Sequence, residues 1–305
     1  MKVAILGATG HIAKCALWAL SQDDTAEFYL FSRTREKLEG VCLGYAPERI
    51  HCAGGYSEFF EHTYDLIFNG VGVWDTPGAS AQQIFSATES YDNMIIRYQL
   101  DHPHTRSIHI SSGAVYGGDY SVPIDDKSVA MLAVNNVSKG DYYTAAKLNS
   151  EVKHRAYSDL DIVDIRLFGF FSRYMSLRYH YLLSGIINSI KENRPFHAIR
   201  SNFYRDYIHL DDFAEMLCGI MKQEHINMAI DVRSKEPVSK EEMIRFFSEE
   251  YGLKAVEAGD EIAISRTGVK PYYYSTRENG IYTPRHTSLD TIRHEIKFFL
   301  GEDKG

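Results

Sequence analysis

The sequence predicts an α/β protein built on a doubly wound parallel sheet, with a smaller mixed α/β lobe formed largely by the C-terminal part of the chain. Short apolar stretches alternate with longer helix-favouring stretches in the first half, which is typical of parallel strands joined by crossover helices. A glycine-rich turn joins the first strand to the first helix. Small or hydroxyl-bearing residues follow further strands, so we expect them to lie together at the carboxyl edge of the sheet.

Length and composition are those of an ordinary globular protein and exclude several kinds of partner. The chain has 305 residues, 44% of them apolar and 24% charged, which is enough for two lobes with a sizeable core. Its net charge of −8 disfavours binding to nucleic acids or anionic membranes. No apolar run approaches the roughly 18 residues of a membrane helix. We therefore expect a cytoplasmic protein without nucleic-acid or membrane partners.

The cysteines and histidines give no sign of a metal site. The cysteines lack the close spacing of metal ligands and no secretory leader is present, so we expect reduced thiols. His102 and His104 flank Pro103, and this polar segment predicts a surface turn. We therefore predict no bound metal. The four cysteines are Cys15, Cys42, Cys52 and Cys218.

The first strand and the first helix are predicted to meet at the glycine-rich turn. Residues 1–6 are apolar enough for a buried strand, residues 13–20 favour a helix, and the sequence GATGHIA lies at their junction. Gly7 permits the tight turn, and Gly10 allows the backbone to approach a pyrophosphate at the helix N-terminus. Ala13 replaces the third glycine of the pattern, which weakens the motif. This context predicts dinucleotide binding by Gly7, Thr9, Gly10, His11 and Ile12.

The end of the second strand indicates which dinucleotide is bound. Residues 27–31 predict this strand, and Ser32, Arg33 and Arg35 follow it. Sites for NAD place an acidic residue here to hold the ribose 2′-hydroxyl, and none is present. A hydroxyl and two arginines suit a 2′-phosphate instead. We therefore expect NADP(H) rather than NAD(H). The alternative is that the arginines, Arg35 above all, are solvated loop charges.

A later strand also ends in residues that can approach a cofactor. The third strand is expected around residues 49–53, and residues 65–68 predict a fourth that runs into the sequence NGVG. Small residues at a strand end allow the backbone to pass close to a ligand. We therefore expect Asn69, Gly70 and Val71 to contact the cofactor.

Two serines are predicted at the same edge of the sheet. A polar helix over residues 79–100 leads to a strand over residues 107–110, which is followed directly by Ser111 and Ser112. Because the carboxyl ends of parallel strands share one edge, these hydroxyls are expected near the glycine-rich turn.

A tyrosine and a lysine at helical spacing supply the predicted chemistry. Tyr143 and Lys147 lie four residues apart in a predicted helix over residues 141–155, so both side chains occupy one face. An ammonium beside a phenol lowers the phenol pKa from about 10 towards neutrality, which allows proton exchange with a substrate oxygen. Ser112 can hydrogen-bond the same oxygen. These three groups together suit hydride transfer at a carbonyl or carbinol.

The second half of the chain carries an arginine motif and several further elements. The sequence RDYIHLDD begins at Arg205, and its Asp211 and Asp212 suit the N-cap of a helix that opens at Phe213. The other predicted elements are strands over residues 162–167 and 227–232, and helices over residues 176–192, from Ser239 (with a capping box) and from Ser288.

Together these motifs resemble the extended short-chain dehydrogenase/reductases, the NAD-dependent epimerase/dehydratase family that acts on nucleotide sugars. The resemblance covers nearly the whole chain and rests on GATGHIA at 7–13, SSGAVYG at 111–117, Tyr143 with Lys147, RDYIHLDD at 205–212 and YTP at 282–284. It implies a Rossmann-type domain for the cofactor and a smaller lobe for the nucleotide diphosphate. The implied boundaries are residues 1–166 with 206–232, and residues 167–205 with 233–305.

The resemblance also implies a homodimer and roles for single residues. Tyr143 serves as acid/base, Ser112 orients the sugar oxygen, and Lys147 binds the nicotinamide ribose as a cofactor-binding residue beside Tyr143. Arg205 pairs with the substrate diphosphate, unless it forms an ion pair with Asp206 or Asp212. Phe168 joins the expected cofactor-binding residues, and the expected nucleotide-sugar-binding residues are Val73, Trp74, Ser112, Gly113, Arg205 and Arg277.

Departures from the family pattern narrow the expected reaction. Gly113 and Ala114 stand where sugar 4,6-dehydratases carry an Asp-Glu pair, so dehydration is not expected. Gly113 also replaces the cysteine of the fucose-synthase-type epimerase/reductases. The C4 epimerases usually keep an acidic residue after the second strand, where this chain has Ser32. The usual asparagine after the strand ending near Leu167 is missing, since residues 168–171 read FGFF.

We therefore expect NADPH-dependent reduction of a nucleotide-linked 4-keto-6-deoxy sugar, a step of deoxysugar biosynthesis. The first alternative is an NAD(P)-dependent nucleotide-sugar epimerase, which uses the same triad but recycles its hydride. The second alternative is a non-catalytic NADP(H)-sensing protein, which the complete set of Ser112, Tyr143 and Lys147 disfavours.

Overall fold

The computed structural model describes residues 1–33, 35–42, 45–72, 80–118, 120–138, 140–178, 181–257 and 270–301. The chain forms two units, each assembled from separate stretches. Unit 1 comprises Met1–Val115, Ala130–Leu167 and Phe213–Asp231, and unit 2 comprises Tyr116–Val129, Phe168–Asp212 and Val232–Gly305. These units differ from the expected lobes mainly because residues 116–129 and 206–212 belong to unit 2.

The described residues form twelve strands and eight α-helices. The strands are β1 (Lys2–Leu6), β2 (Glu27–Phe31), β3 (Ile50–Cys52), β4 (Leu66–Asn69), β5 (Arg106–Ser112), β6 (Ile162–Leu167), β7 (Phe196–Ala198), β8 (Tyr204–Arg205), β9 (Asn227–Val232), β10 (Val238–Ser239), β11 (Ala255–Glu257) and β12 (Tyr272–Tyr273). The helices are α1 (His11–Leu20), α2 (Glu39–Cys42), α3 (Ala81–Asp101), α4 (Tyr142–Ala156), α5 (Leu182–Lys191), α6 (Leu210–Met221), α7 (Lys240–Tyr251) and α8 (Ser288–Leu300).

Unit 1 contains a seven-stranded sheet in the order β3-β2-β1-β4-β5-β6-β9. The pairings among its first six strands are parallel. Leu6 at the end of β1 pairs with Asn69 at the end of β4, so these two strands stop at the same level. This topology confirms the predicted doubly wound sheet, and it brings the strand ends that carry Gly7, Asn69 and Ser112 to one edge.

Burial explains why the strands of unit 1 read as apolar runs rather than as alternating patterns. Every residue of β4 is buried, and β1 is buried from Val3 to Leu6. A parallel sheet is covered by helices on both faces, so side chains pointing either way must be apolar. Phe31, Phe59 and Ile95 belong to the apolar cluster on one face.

Unit 2 is a smaller mixed α/β structure. In it β10 pairs antiparallel and β12 pairs parallel with β8, and β7 pairs parallel with β11. Helices α5, α7 and α8 supply an apolar core that includes Phe171, Ile186 and Phe247. The Ile124 amide donates to the Tyr274 carbonyl at 3.0 Å, which ties the stretch 116–129 to this unit.

Helices α7 and α8 of unit 2 begin at capping boxes, and α5 begins later than predicted. Ser239 caps α7 as predicted, and Thr287 caps α8 in the same manner. The helix predicted over residues 176–192 starts only at Leu182 in the described chain. There the Tyr181 amide donates to the Ser184 hydroxyl at 2.9 Å and fixes the N-terminus.

Helix α6 corrects the predicted role of two aspartates. It begins at Leu210 rather than Phe213, so Asp211 and Asp212 lie in its first turn and not at its N-cap. The Asp212 carboxylate instead accepts the backbone amides of Arg285 and His286 at 3.1 and 3.0 Å. A contact between segments more than seventy residues apart thus takes the place of a local cap.

The structure brings two of the cysteines near each other. Cys42 in α2 and Cys52 in β3 have 7.8 Å between their Cα atoms, which is longer than the roughly 4.4–6.8 Å that a disulfide spans, so the reduced thiols stay a prediction. Cys15 is a buried thiol and Cys218 is an exposed one. None of the described helices combines the length and apolarity that crossing a membrane requires.

Candidate active site

The glycine-rich turn after β1 is held closely against the turn after β4. Gly7 has φ of +69°, which a side chain rarely adopts, and a Cβ there would lie 3.0 Å from the Gly70 carbonyl carbon. A Cβ on Gly70 would in turn lie 2.9 Å from the Ala13 Cβ. The methyl group of Ala13 is therefore accommodated by the missing side chain of Gly70, which explains how the motif tolerates the loss of its third glycine.

The N-terminus of α1 fits a bound pyrophosphate. Gly10 occupies the N-cap without a side-chain cap, and the first turn contains no acidic residue. Burial, followed by the charge of Lys14, lowers the pKa of His11 to about 4, so its imidazole is neutral at physiological pH. Thr9 and Ile12 lie in the same segment. Backbone amides and the helix dipole at this position suit a phosphate group.

Asn69 shapes the turn that faces Gly7. Its Oδ1 accepts the Val71 amide at 3.1 Å, and its Nδ2 lies 3.2 Å from Nδ1 of His109. The amide side chain thus fixes the path of residues 69–71 beside the expected cofactor site. Val73 and Trp74, expected to bind substrate, lie outside the described residues.

The residues after β2 retain the features that suggested NADP. Ser32 is buried at the strand end, whereas Arg33 and Arg35 are exposed. Neither guanidinium forms an ion pair with a carboxylate of the residues that the structure describes. Their exposure keeps both arginines as candidates for binding the 2′-phosphate.

The two serines at the end of β5 have different environments. Ser111 is buried, and its hydroxyl donates to Oε1 of Glu151 at 2.6 Å. Ser112 is half-buried, and its Oγ accepts the Ala114 amide at 3.2 Å. Successive side chains of a strand point to opposite faces. Ser111 therefore contacts Glu151 on one face of the sheet, and the side chain of Ser112 points to the other face.

Tyr143 and Lys147 lie on the same side of α4. The Lys147 ammonium donates to the carbonyl oxygen of Ile110 at 2.7 Å and lies 6.0 Å from the centre of the Tyr143 ring. Ile110 is two residues before Ser112 on β5. The structure therefore brings the lysine to the strand that carries the serine.

Lys147 is buried among acidic residues that sequence reasoning did not identify. Burial lowers the pKa of its ammonium, and the charges of Asp92, Asp164 and Glu151 oppose this effect. Asp92 and Asp164 line the same small cavity as Lys147. The charges of Asp164 and Arg166 within the otherwise apolar strand β6 were the available signal, since a buried charge requires a partner.

These carboxylates have basic partners of their own. The Asp164 carboxylate accepts from His154 at 2.8 Å and from Arg155 at 3.0 Å. Glu151 binds Arg166, whose Nη2 lies 2.6 Å from its Oε2. The carboxylates of Asp164 and Glu151 near Lys147 thus belong to a hydrogen-bonded network, which lowers the free-energy cost of burying their charges.

Two clusters could each place three ligand atoms within 4.8 Å of one another, and neither contains the histidines considered from the sequence. The absence of a bound metal stays a prediction. The clusters, among described residues, are Asp92 with His109 and His154, and His209 with Asp211 and His286.

Arg205, in unit 2, is not an ion-pair partner of the neighbouring aspartates. Its Nη1 donates to the carbonyl oxygens of Tyr204 and Lys270 at 2.7 and 2.8 Å. Asp206 instead accepts the Ser234 amide at 3.0 Å, and burial raises the pKa of its carboxyl. The alternative reading of Arg205 as the partner of Asp206 or Asp212 is therefore wrong.

Arg277 is more fully engaged within unit 2. Its Nη1 donates to the Tyr116 hydroxyl at 2.6 Å, and its Nε lies 3.6 Å from the Asp126 carboxylate. Phe168, expected at the cofactor, packs its ring 6.4 Å from that of Tyr116 and 5.3 Å from that of Tyr273. Arg205 thus remains the stronger candidate for binding an anion.

Comparison with known families decides the relationship that these features suggest. The model of the NAD dependent epimerase/dehydratase family matches residues 3–229. The chain belongs to this family. The resemblance stated from the sequence is confirmed, and the protein is an NAD(P)-dependent enzyme of the extended short-chain dehydrogenase/reductase type. A search of curated proteins gave no match.

Solved structures agree in fold at low sequence identity. UDP-glucuronic acid 4-epimerase from Bacillus cereus, solved with UDP-glucuronic acid and NAD, has a TM-score of 0.80 at 16% identity, over 99% of this chain and 100% of that chain. UDP-glucose-4-epimerase from Stenotrophomonas maltophila, with bound NAD and formylated UDP-arabinopyranose, has 0.78 at 18% identity over 99% and 98%. dTDP-glucose 4,6-dehydratase from Bacillus anthracis, in complex with NAD, has 0.74 at 12% over 98% and 96%.

Proposed function

We propose that the protein is an NADPH-dependent reductase of a nucleotide-linked 4-keto-6-deoxy sugar. The observation that carries this proposal is the contact of Lys147, 6.0 Å from the centre of the Tyr143 ring, with the carbonyl oxygen of Ile110, two residues before Ser112 on β5. A proton donor, a hydroxyl and an ammonium beside a dinucleotide site are the groups that reduction of a ketone requires.

The residues of the chain act on the ketone oxygen and on the cofactor ribose. The bound nicotinamide supplies a hydride to the ketone carbon. Tyr143 gives its hydroxyl proton to the oxygen as the C–O bond becomes single, and Ser112 donates a hydrogen bond to that oxygen. Lys147 holds the ribose, and its positive charge stabilises the phenolate left on Tyr143.

Dehydration is a poor alternative for this site. Gly113 and Ala114 occupy the start of the short 3-10 helix Gly113–Tyr116, and neither has a group that can transfer a proton. Elimination from a 4-keto sugar needs an acid and a base next to the sugar ring. The lack of an acid and a base at these two positions disfavours dehydration and is consistent with oxidation and reduction at one oxygen.

The preference for NADP(H) is a further part of the proposal, supported by Ser32 and the two exposed arginines. Arg33→Ala is expected to weaken NADPH binding by about tenfold and to leave NADH binding unchanged, because a charge-assisted bond to the 2′-phosphate is lost. Fluorescence titration of both cofactors measures this. Lys37→Ala, which removes another exposed charge from the same loop, is the control. Equal loss for both cofactors, or tighter binding of NADH by the unaltered protein, contradicts the assignment.

A nucleotide-sugar epimerase is the second candidate, and the resemblance in fold to two 4-epimerases favours it. An epimerase uses the same three residues but returns the hydride to the same carbon, so it needs no added reductant.

We further propose that the reductase is a cytoplasmic protein that acts in deoxysugar biosynthesis. A homodimer, which the family resemblance implies, is also part of this proposal.

Titration with NADPH and NADH, followed by addition of nucleotide 4-keto-6-deoxy sugars, tests the proposal. We expect NADPH to bind and its fluorescence to disappear in proportion to the keto sugar added. Interconversion of nucleotide sugars with no net oxidation identifies an epimerase. Binding of NADPH without turnover of any nucleotide sugar identifies a sensing protein, and no cofactor binding overturns all three.

A further inference from the structure

Lys270 of unit 2 is held between two tyrosine rings. Its ammonium lies 4.7 Å from the centre of the Tyr120 ring and 4.6 Å from that of the Tyr273 ring. Both tyrosines are buried, and Lys270 is half-buried. An ammonium at this distance from aromatic faces is attracted by their electron density, and this attraction partly replaces the water that it has lost.

The backbone at Tyr120 is constrained to hold this arrangement. Tyr120 has φ of +53°, a left-handed conformation that is uncommon for a bulky side chain. Its carbonyl oxygen accepts the Tyr272 amide at 3.0 Å, which ties the segment to the strand that carries Tyr273. Conformations of this kind persist where the surrounding structure fixes them, and they concentrate at functional sites.

A second cation belongs to the same group. The Arg205 guanidinium lies 4.3 Å from the centre of the Phe203 ring and 5.9 Å from that of the Tyr273 ring, and its Nη1 donates to the Lys270 carbonyl oxygen at 2.8 Å. Tyr273 therefore faces both cations. Two positive charges are thus brought together among aromatic side chains.

No carboxylate compensates these charges within the described ranges. Asp206, the acid next to Arg205 in sequence, is bound to Ser234 and Ser288. Removing charges from water without an opposite charge is unfavourable. Among the residues that the structure describes, these neighbouring cations have no carboxylate partner, and such a pair is suited to an anion with at least two negative charges.

We propose that Lys270 is a second anion-binding residue beside Arg205 and that it selects a substrate with a diphosphate rather than a singly charged group. The inference rests on the proposed function, in which Arg205 holds the diphosphate of a nucleotide sugar. Lys270 adds a compact point charge to the planar donor group of the arginine, so the two can bind separate phosphate oxygens.

The position of Lys270 makes this binding dependent on pH. Burial, and then the neighbouring charge of Arg205, lowers the pKa of the Lys270 ammonium to about 8. The ionisable groups facing it are Arg205, Tyr120 and Tyr273. Above this pH the free protein loses the Lys270 charge, so a diphosphate must bind a neutral amine or take up a proton. Affinity therefore falls by up to about tenfold for each pH unit above 8, until the pKa of the bound state is reached.

Calorimetric titration with UDP and dTDP between pH 7.0 and 9.0 tests the proposal on the full chain. At about pH 7, Lys270→Met is expected to weaken binding by about 10- to 100-fold, and Lys270→Arg, which keeps its charge, to weaken it far less. Between about pH 7 and 9, the affinity of the unaltered protein should move from that of Lys270→Arg towards that of Lys270→Met. Ionisation of the uracil or thymine base of the ligand affects its binding to all three proteins equally.

Two further variants separate the possible outcomes. Arg205→Met should weaken binding across the pH range, and Lys254→Met, which removes an exposed lysine of the same unit, should change nothing. Undiminished binding by Lys270→Met, or parallel pH profiles for the unaltered protein and Lys270→Arg, overturns the role of Lys270 alone. Failure of the unaltered protein to bind any nucleoside diphosphate overturns the proposed function together with it.

Discussion

Tyr143→Phe is expected to lower kcat by about 10²- to 10⁴-fold, because general acid catalysis by a side chain contributes about that much. The substitution removes only the hydroxyl and keeps the ring beside the Lys147 ammonium, 6.0 Å from its centre. The dissociation constant for NADPH should therefore change little. Steady-state rates with the keto sugar, combined with fluorescence titration of the cofactor, measure the two effects separately.

Tyr142 offers a matched control on the same helix. Its ring packs against that of Phe85, with 6.3 Å between their centres. Tyr142→Phe removes a hydroxyl next to that of Tyr143 in sequence, and we expect kcat to remain within about twofold of the original. Turnover that survives in Tyr143→Phe, or is lost equally in both variants, would assign the proton transfer to another group.

Arg166→Met is expected to reduce the free energy of unfolding by about 3–5 kcal/mol, the usual effect of removing one partner of a buried ion pair. Arg166 contacts the carboxylates of Glu151 and Asp231 at 2.6 and 3.4 Å, and side-chain exposures are 12% for the arginine, 5% for Glu151 and 2% for Asp231. Its loss leaves two buried negative charges without this partner. Thermal unfolding followed by circular dichroism should show Tm lowered by roughly 5–15 °C.

Two comparisons test the cause of this loss. Arg293→Met removes an exposed arginine from α8 and should change the free energy of unfolding by less than about 0.5 kcal/mol. The double variant with Glu151→Gln should lose less than the sum of its two single changes, because the residues act on one another. Additive losses would show that Arg166 stabilises the protein through packing alone.

The same ion pair connects stability to the active site. Glu151 accepts a hydrogen bond from the hydroxyl of Ser111, the neighbour of the proposed catalytic residue Ser112, and lies one turn beyond Lys147 on α4. Glu151, which holds the end of β5 through Ser111, thus also provides a negative charge near the buried ammonium of Lys147. Because Arg166 fixes Glu151, its loss should disturb the catalytic edge before the whole chain unfolds.

The parts that could be predicted from the sequence depend on local pattern. Apolar runs separated by helices predicted the parallel sheet, and the spacing of Tyr143 and Lys147 predicted a shared helix face, because a helix repeats nearly every four residues. Ser239 and Glu242 predicted the start of α7, since a capping box needs only two residues that are three positions apart. Gly7 and Gly10 predicted the glycine-rich turn after β1, because this motif also needs only residues that are three positions apart.

Other features were decided only when distant segments met. Residue type cannot distinguish Ser111 from Ser112, and a contact forty residues away determines which of them serves the interior. The carboxylate of Asp212 was assigned to a local cap, yet it binds backbone amides of a segment more than seventy residues away.

Lys270 in unit 2 is the clearest example of a residue whose surroundings cannot be predicted from the local sequence. Lys270 carries no motif, and it gains its environment from Tyr120, 150 residues earlier, and from Arg205. The sequence by itself predicted most of the elements, the glycine-rich turn and the shared helix face of Tyr143 and Lys147, because hydrogen bonding within helices and between strands repeats at short intervals. Only the tertiary structure decided which charges are compensated, because electrostatic interactions depend on distance in space and on burial rather than on separation along the chain.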